Sequence, residues 1–145
     1  MLNRKLKLIT LILCIVLVVG MVVYAVYEPF KVKLNLFERL VCMALLPAEG
    51  SFVTLKIVRE LQMELAPTEE EIALAEVKDD LLTGGVTAKN WNAVEDKEIV
   101  FGDIAKALIV SALKKLDEAE KLTQQHFSLY EKFVIGKVEE VKEGD

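Results

Sequence analysis

The pattern of hydrophobic positions begins with one continuous apolar run. Residues 8–27 read LITLILCIVLVVGMVVYAVY, which is 20 residues without a charged side chain. A helix rises about 1.5 Å per residue, so this run would extend about 30 Å, the thickness of the hydrocarbon core of a bilayer. The sequence therefore predicts a single-pass transmembrane helix, with the lipid bilayer as its partner. The predicted anchoring residues are Leu8, Ile12, Val16, Val19, Tyr24 and Tyr27.

Two other interpretations of this run stay open. A cleaved signal peptide would share the basic start at Arg4, Lys5 and Lys7 and would end near Ala25, leaving a secreted domain. The apolar region of such a peptide is usually shorter, about 7–15 residues. A helix buried inside a soluble fold is the second alternative. Basic residues are slightly more concentrated before the run than after it, which favours a cytoplasmic N-terminus and a folded part on the opposite, outer side of the membrane.

After a predicted linker at residues 28–35, the apolar residues recur at helical spacing. Residues 34–46 and 53–65 each place them three or four positions apart, which predicts two amphipathic helices. The short connection contains Pro47 and Gly50, so the two helices are expected to form a helical hairpin. Ser51 is the predicted N-cap of the second helix.

The clearest helix start in the sequence lies at Thr68. Glu71 follows three residues later, which is the spacing of a capping box, and the acidic run beside it opposes the positive end of the helix dipole. These acidic residues are therefore interpreted as caps and not as metal ligands. The helix is predicted to continue through residues 72–82 and to end at Gly84.

The hydrophobic period then changes from helix to strand. Residues 86–91 and 97–101 are two short segments without helical spacing on either side of a polar turn at residues 92–96, which predicts a short β-hairpin. A two-stranded hairpin is only marginally stable alone, so Trp91 or Ile99 is expected to pack against helices.

Two further helices complete the predicted domain. One begins at Asp103 and carries a long apolar stripe; the other begins at Thr123 and directs Phe127, Tyr130 and Phe133 inward. The fold class is therefore mainly α: a transmembrane helix at the end of residues 1–27, then a helical domain at residues 36–135. This domain has about five helices and a hairpin near residues 86–101, and an acidic flexible tail follows at residues 136–145.

The charge of the chain restricts its partners. Of the 18 basic residues, 15 follow the apolar run, together with all 23 acidic residues, so this part carries a net charge of −8. Nucleic-acid binding needs clustered lysine and arginine side chains to neutralise phosphates. The composition therefore argues against a nucleic-acid partner.

The residues that could carry chemistry do not form a recognisable set. Cys14 lies inside the apolar run and Cys42 in a second apolar segment, so no disulfide is predicted and Cys42 is interpreted as a buried hydrophobic residue. His126, the single histidine, is two residues from Ser128, which on a helix places them on different faces. No catalytic, cofactor-binding or metal-binding residue is predicted. Three pairs of adjacent acidic residues are interpreted as solvated surface: Asp79–Asp80, Glu95–Asp96 and Glu139–Glu140.

Several segments together resemble a family of small uncharacterised proteins from phage and prophage genomes. The first is LLPAEGSFVTLKIVR at residues 45–59, and the second is the stretch from Trp91 to Ile99. The third lies within residues 116–133 and is similar to the end of those proteins. The resemblance covers residues 36–134. It implies no activity and no catalytic residue, because none is assigned in that family. The short members of that family are soluble, so the apolar run is a departure from them. If those members are cytosolic, the resemblance implies that the domain faces the cytoplasm.

These observations predict a membrane-anchored, non-enzymatic module that binds another protein through its helical domain, with no cofactor and no small-molecule ligand. Two alternatives stay open. The first is a phage or prophage accessory protein that acts on host or virion proteins. The second is a small hydrolase that uses carboxylates, which would need distant acidic residues gathered in one cleft.

Overall fold

The computed structural model describes residues 3–25, 29–80 and 85–136. This part of the chain is mainly helical, as the sequence predicts, and it includes four short strands. The helices are α1 (Arg4–Ala25), α2 (Leu36–Ala44), α3 (Phe52–Leu65), α4 (Glu69–Ala75), α5 (Asp103–Glu118) and α6 (Gln124–Tyr130). The strands are β1 (Phe30–Leu34), β2 (Val77–Asp80), β3 (Gly85–Ala88) and β4 (Lys97–Phe101). A 3-10 turn at Trp91–Ala93 precedes β4, and a π-helical turn at Glu131–Ile135 extends α6.

The predicted membrane anchor is contradicted. Across residues 3–25, 29–80 and 85–136, no helix is long and apolar enough to cross a bilayer. The predictions of a transmembrane helix and of a single-pass membrane location are therefore wrong on this finding.

The six predicted anchoring residues have different outcomes. Leu8, Ile12 and Val16 lie on α1 and are more than half exposed. Val19 and Tyr24 are in α1, but their side chains are outside the described set, and Tyr27 is outside the described residues.

The segment predicted as a linker contributes a strand. β1 pairs antiparallel with β4, so that Phe30 lies opposite Phe101 and Val32 opposite Ile99. The sequence FKVKL alternates in polarity, and this alternation buries Val32 and Leu34 on the same face of the sheet as Ile99 and Phe101. The strand predicted at residues 97–101 is confirmed, but its predicted hairpin partner is wrong.

The predicted partner of that strand belongs to a different sheet. β3 pairs antiparallel with β2, and Val77 lies opposite Ala88. The helix predicted to reach residue 82 ends at Ala75, because Glu76 takes a left-handed conformation with φ of 50° and turns the chain into β2. Residues 81–84, where the helix was predicted to stop, lie outside the described residues.

The main core lies between the β1–β4 sheet and the helices α2, α3, α5 and α6. Ile99 is part of this core, as the sequence predicts. Its buried members are Val32, Leu34, Cys42, Leu61, Leu65, Ile99, Phe101, Ala105, Ile109, Leu113, Leu129 and Phe133. Phe133 is buried as predicted, whereas Phe127 is 61% exposed because it lies on the solvent side of α6.

A smaller cluster packs beside the main core. Leu36, Ala75 and Val94 form it, and Trp91 packs against them. The Trp91 ring also meets Phe37 edge-on, with the ring centroids 5.2 Å apart. The expectation that Trp91 packs against a helix is therefore confirmed.

Candidate functional site

Side-chain N-caps fix the starts of α2, α3 and α4, the helices next to the buried charged residues Glu38 and Arg39. Ser51 caps α3, and Thr68 forms a capping box with Glu71 at the start of α4, as the sequence predicts. A further capping box at the start of α2 was not predicted. There, the Glu38 amide donates to Asn35 Oδ1 and the Asn35 amide donates to Glu38 Oε2, each at 2.9 Å. The spacing Asn-x-x-Glu in the sequence is the signal that could have found it.

Glu38 continues from this cap into a buried ion pair. Its residue is 3% exposed, and Lys132 Nζ lies 2.8 Å from its Oε1 and 2.9 Å from its Oε2. The Ser128 hydroxyl also donates to Glu38 Oε1, and Lys132 Nζ donates to the Lys33 carbonyl at 2.9 Å. The Glu38 cluster, formed by Glu38, Ser128 and Lys132, therefore joins β1 and α2 to α6 and to the π-helical turn that follows it.

Arg39 forms a second buried network on the other side of α2. Its residue is fully buried, and Nη1 and Nη2 donate to the two carboxylate oxygens of Glu71 at 2.7 and 2.6 Å. Arg39 also donates to the carbonyls of Leu65 at 3.1 Å and Ala66 at 3.4 Å. Because these carbonyls end α3 and Glu71 begins α4, one guanidinium holds three helices together.

These two networks stabilise the fold. Within the described ranges, every buried side-chain nitrogen or oxygen has a hydrogen-bond partner. The two networks together tie residues that are far apart in sequence, such as Arg39 and Glu71, or Glu38 and Lys132. Their geometry therefore explains why charged residues lie on the inner face of α2, and it argues for a structural role.

The fixed Glu71 carboxylate predicts a specific pH dependence. The hydrogen bonds from Arg39, aided by the Thr68 amide, lower the pKa of Glu71 from 4.5 to about 2. Its stabilising effect is therefore present above about pH 4.5 and is lost as the pH falls towards 2. In urea unfolding, we expect Glu71→Gln to cost about 1–2 kcal/mol at pH 7, since solvent partly screens the pair, and progressively less between pH 4.5 and pH 2.

The matched control for this experiment is Glu70→Gln. It makes the same chemical change at an exposed position of the same helical turn. It should follow the wild-type dependence on pH. A Glu71→Gln profile parallel to that of wild type from pH 5 to pH 2 would contradict the role assigned to this carboxylate.

His126, Ser128 and Cys42, the candidates for nucleophilic chemistry, each have a different environment. His126 Nδ1 accepts from the Thr123 backbone amide at 3.1 Å and so caps α6. The Ser128 hydroxyl donates to Glu38 instead. Cys42 is fully buried, as predicted, and burial, together with the nearby Glu38 charge, raises the pKa of its thiol to about 12. At neutral pH the Cys42 thiol is therefore protonated and enclosed.

The acidic pairs do not form a metal site in the described part of the chain. Among residues 3–25, 29–80 and 85–136, no group of three or more histidine, cysteine or acidic side chains could hold a metal ion. Glu95 and Asp96 are exposed, as interpreted from the sequence. Asp79 and Asp80 lie in β2 with side chains outside the described set, and Glu139 and Glu140 lie outside the described residues.

A groove on the surface is the best candidate for a binding site. It has a volume of about 700 Å³ and lies between α3, the end of β4 and the first turn of α5. The groove is defined by its apolar lining and its acidic lining. The apolar residues are Ile57, Leu61, Met63, Val100, Ile104 and Ala105, and the acidic residues are Glu60, Glu64 and Asp103. Gly102, the N-cap of α5, completes the lining.

Three of the apolar residues that line the groove are exposed to solvent, whereas Leu61 and Ala105 belong to the main core. Met63 is 65% exposed, Ile104 is 55% exposed and Val100 is 53% exposed. The sequence does not reveal this groove, because its residues come from segments about 40 positions apart. A concave site lined mainly by apolar side chains with a few charged groups is a common form of binding site in folded proteins.

Comparison with known proteins gives no relative from which a site could be transferred. No protein-family model, no curated protein and no solved structure matches the chain. The resemblance to small phage and prophage proteins therefore stays a prediction.

Proposed function

We propose that this protein is an interaction module that binds a protein partner through the groove between α3, β4 and α5. The observation that carries the proposal is the group of exposed apolar side chains that line the groove, Met63, Val100 and Ile104. Covering them removes apolar surface from water, which is the main favourable contribution to most protein association.

The chemistry of the lining favours a protein over a small ligand. Small-molecule sites usually combine an apolar pocket with a few convergent polar groups that orient the ligand. In this groove the charged groups, Glu60, Glu64 and Asp103, are all of one sign, and their residues are exposed. Protein interfaces likewise combine apolar side chains with solvent-accessible polar and charged ones.

A double variant tests the proposal by replacing two exposed apolar residues of the groove with charged ones. Met63→Lys and Ile104→Glu leave the net charge unchanged, and each new charge suits its helix end, since Met63 is near the end of α3 and Ile104 is in the first turn of α5. A bound partner would have to cover the two new charges without partners for them, which costs at least about 1.4 kcal/mol, so the affinity should fall at least about tenfold.

The matched control places the same two substitutions elsewhere. Leu74→Lys and Phe127→Glu change side chains that are 60% and 61% exposed and do not line the groove. Crosslinking and quantitative mass spectrometry on the three forms should identify a protein recovered by wild type and control but not by the groove variant. Its affinity is then measured with purified components. The proposal fails if no recovered protein depends on the groove.

A further inference from the structure

The charge distribution around the groove identifies the chemistry of its partner. We infer that the groove binds a short amphipathic helix whose apolar side is flanked by lysine or arginine residues. This inference rests on the proposed function and adds the partner's charge and conformation to it.

The acidic side chains lie where a bound helix would place its flanking residues. Glu60 and Glu64 are one helical turn apart on α3, and Asp103 begins α5 across the groove. The Glu60 and Glu64 side chains are 60% and 67% exposed. Opposite charges across an interface guide association and select the partner.

The positive charges within the protein leave these carboxylates accessible. Lys56 Nζ is 4.0 Å from Glu60, and Lys97 Nζ is 3.9 Å from Glu64, so both contacts are at the outer limit of an ion pair. Lys97 instead makes its short hydrogen bond, of 2.8 Å, to the Glu64 carbonyl. Exposed pairs of this kind are weak, and a basic side chain of a partner can replace them.

The α3 side of the groove follows helical spacing. Ile57, the buried Leu61 and the exposed Glu64 are four and three residues apart, so they form one mixed row along about 10 Å of the helix. Rows of this spacing accept the side chains of a second helix, whose apolar anchors also repeat every three or four residues. Ile104 and Val100 face the row from the other side of the groove.

Two synthetic helical peptides test the inference on the full chain. Both carry the same leucine anchors at helical spacing; one is flanked by lysines and the other by glutamates. Fluorescence anisotropy at low salt should show the lysine peptide binding at least tenfold more tightly. Its affinity should fall several-fold when the salt concentration rises from 0.05 to 0.5 M, because salt screens exposed charges.

Charge reversal supplies the decisive comparison. Glu60→Lys with Glu64→Lys should abolish the preference or reverse it. The control, Glu49→Lys with Glu118→Lys, makes the same change in net charge at exposed positions outside the groove and should keep the preference. If the reversed protein is poorly folded by circular dichroism, Glu60→Gln with Glu64→Gln serves the same purpose.

The outcomes separate this inference from the proposed function. Equal binding of both peptides, lost in the Met63→Lys, Ile104→Glu variant, would overturn the inference and leave the groove as an interaction site. A preference for lysine that survives in both Glu60/Glu64 variants would also overturn it, because the charge effect would not belong to the groove. A natural partner that depends on the groove but binds it through an acidic or uncharged segment would overturn it as well.

Discussion

Replacing Arg39 with alanine is expected to lower the free energy of unfolding by about 3–5 kcal/mol, because the Glu71 carboxylate and two carbonyls lose their buried partner. Arg39 is fully buried and donates to Glu71, Leu65 and Ala66. A domain of this size is typically stable by about 5–15 kcal/mol, so this loss removes a large part of the total. Urea unfolding, followed by the fluorescence of Trp91 and by circular dichroism, measures it.

Two comparisons test whether geometry or charge carries the effect. Arg59→Ala makes the same change on an exposed face of α3 and should alter stability by no more than about 0.5 kcal/mol. Arg39→Lys keeps the charge but cannot reproduce the two-pronged contact with Glu71, so its loss should be intermediate. An Arg39→Ala loss below about 1 kcal/mol would show that the network contributes little.

Replacing Phe101 with alanine is expected to cost a further large amount, about 3–5 kcal/mol. Phe101 is completely buried at the end of β4, where its ring meets Phe133 edge-on with the centroids 5.0 Å apart. It also lies opposite Phe30 in the β1–β4 sheet, at 6.2 Å between ring centroids. The substitution leaves a cavity where the β1–β4 sheet packs against the π-helical turn that follows α6.

The control for this substitution is the adjacent residue of the same strand. Val100 is 53% exposed, because successive side chains of a strand point to opposite faces. Val100→Ala should therefore cost less than about 1 kcal/mol in the same unfolding experiment. Similar losses for the two variants would mean that β4 does not pack with its Phe101 face inward.

The helix starts were predictable because their interactions are local. Ser51 at α3 and the Thr68–Glu71 box at α4 depend on groups within one helical turn, and the sequence analysis identified both. The Asn35–Glu38 box at α2 has the same local spacing of cap and acidic residue. Cys42 was correctly interpreted for a similar reason, since the apolar residues around it already indicate a buried environment.

The inner face of α2 shows where a pattern of apolar residues misleads. The sequence suggested a stripe built from leucine, phenylalanine and valine residues, yet the buried face is Leu36, Glu38, Arg39 and Cys42. A charged side chain can occupy such a face only when distant groups supply its partners. Glu71 and Lys132, which provide them, are 32 and 94 residues away from Arg39 and Glu38 respectively.

The sequence by itself determined the mainly helical fold, the strand at β4 and the caps, because each depends on neighbours within a few residues. Only the tertiary structure decided that β4 pairs with β1 and not with residues 86–91. Both segments are short and without helical spacing, and the choice between them depends on which face the core can bury. The groove belongs to the same category: α3, β4 and α5 each contribute part of it, and only their packing brings Met63, Val100 and Ile104 together.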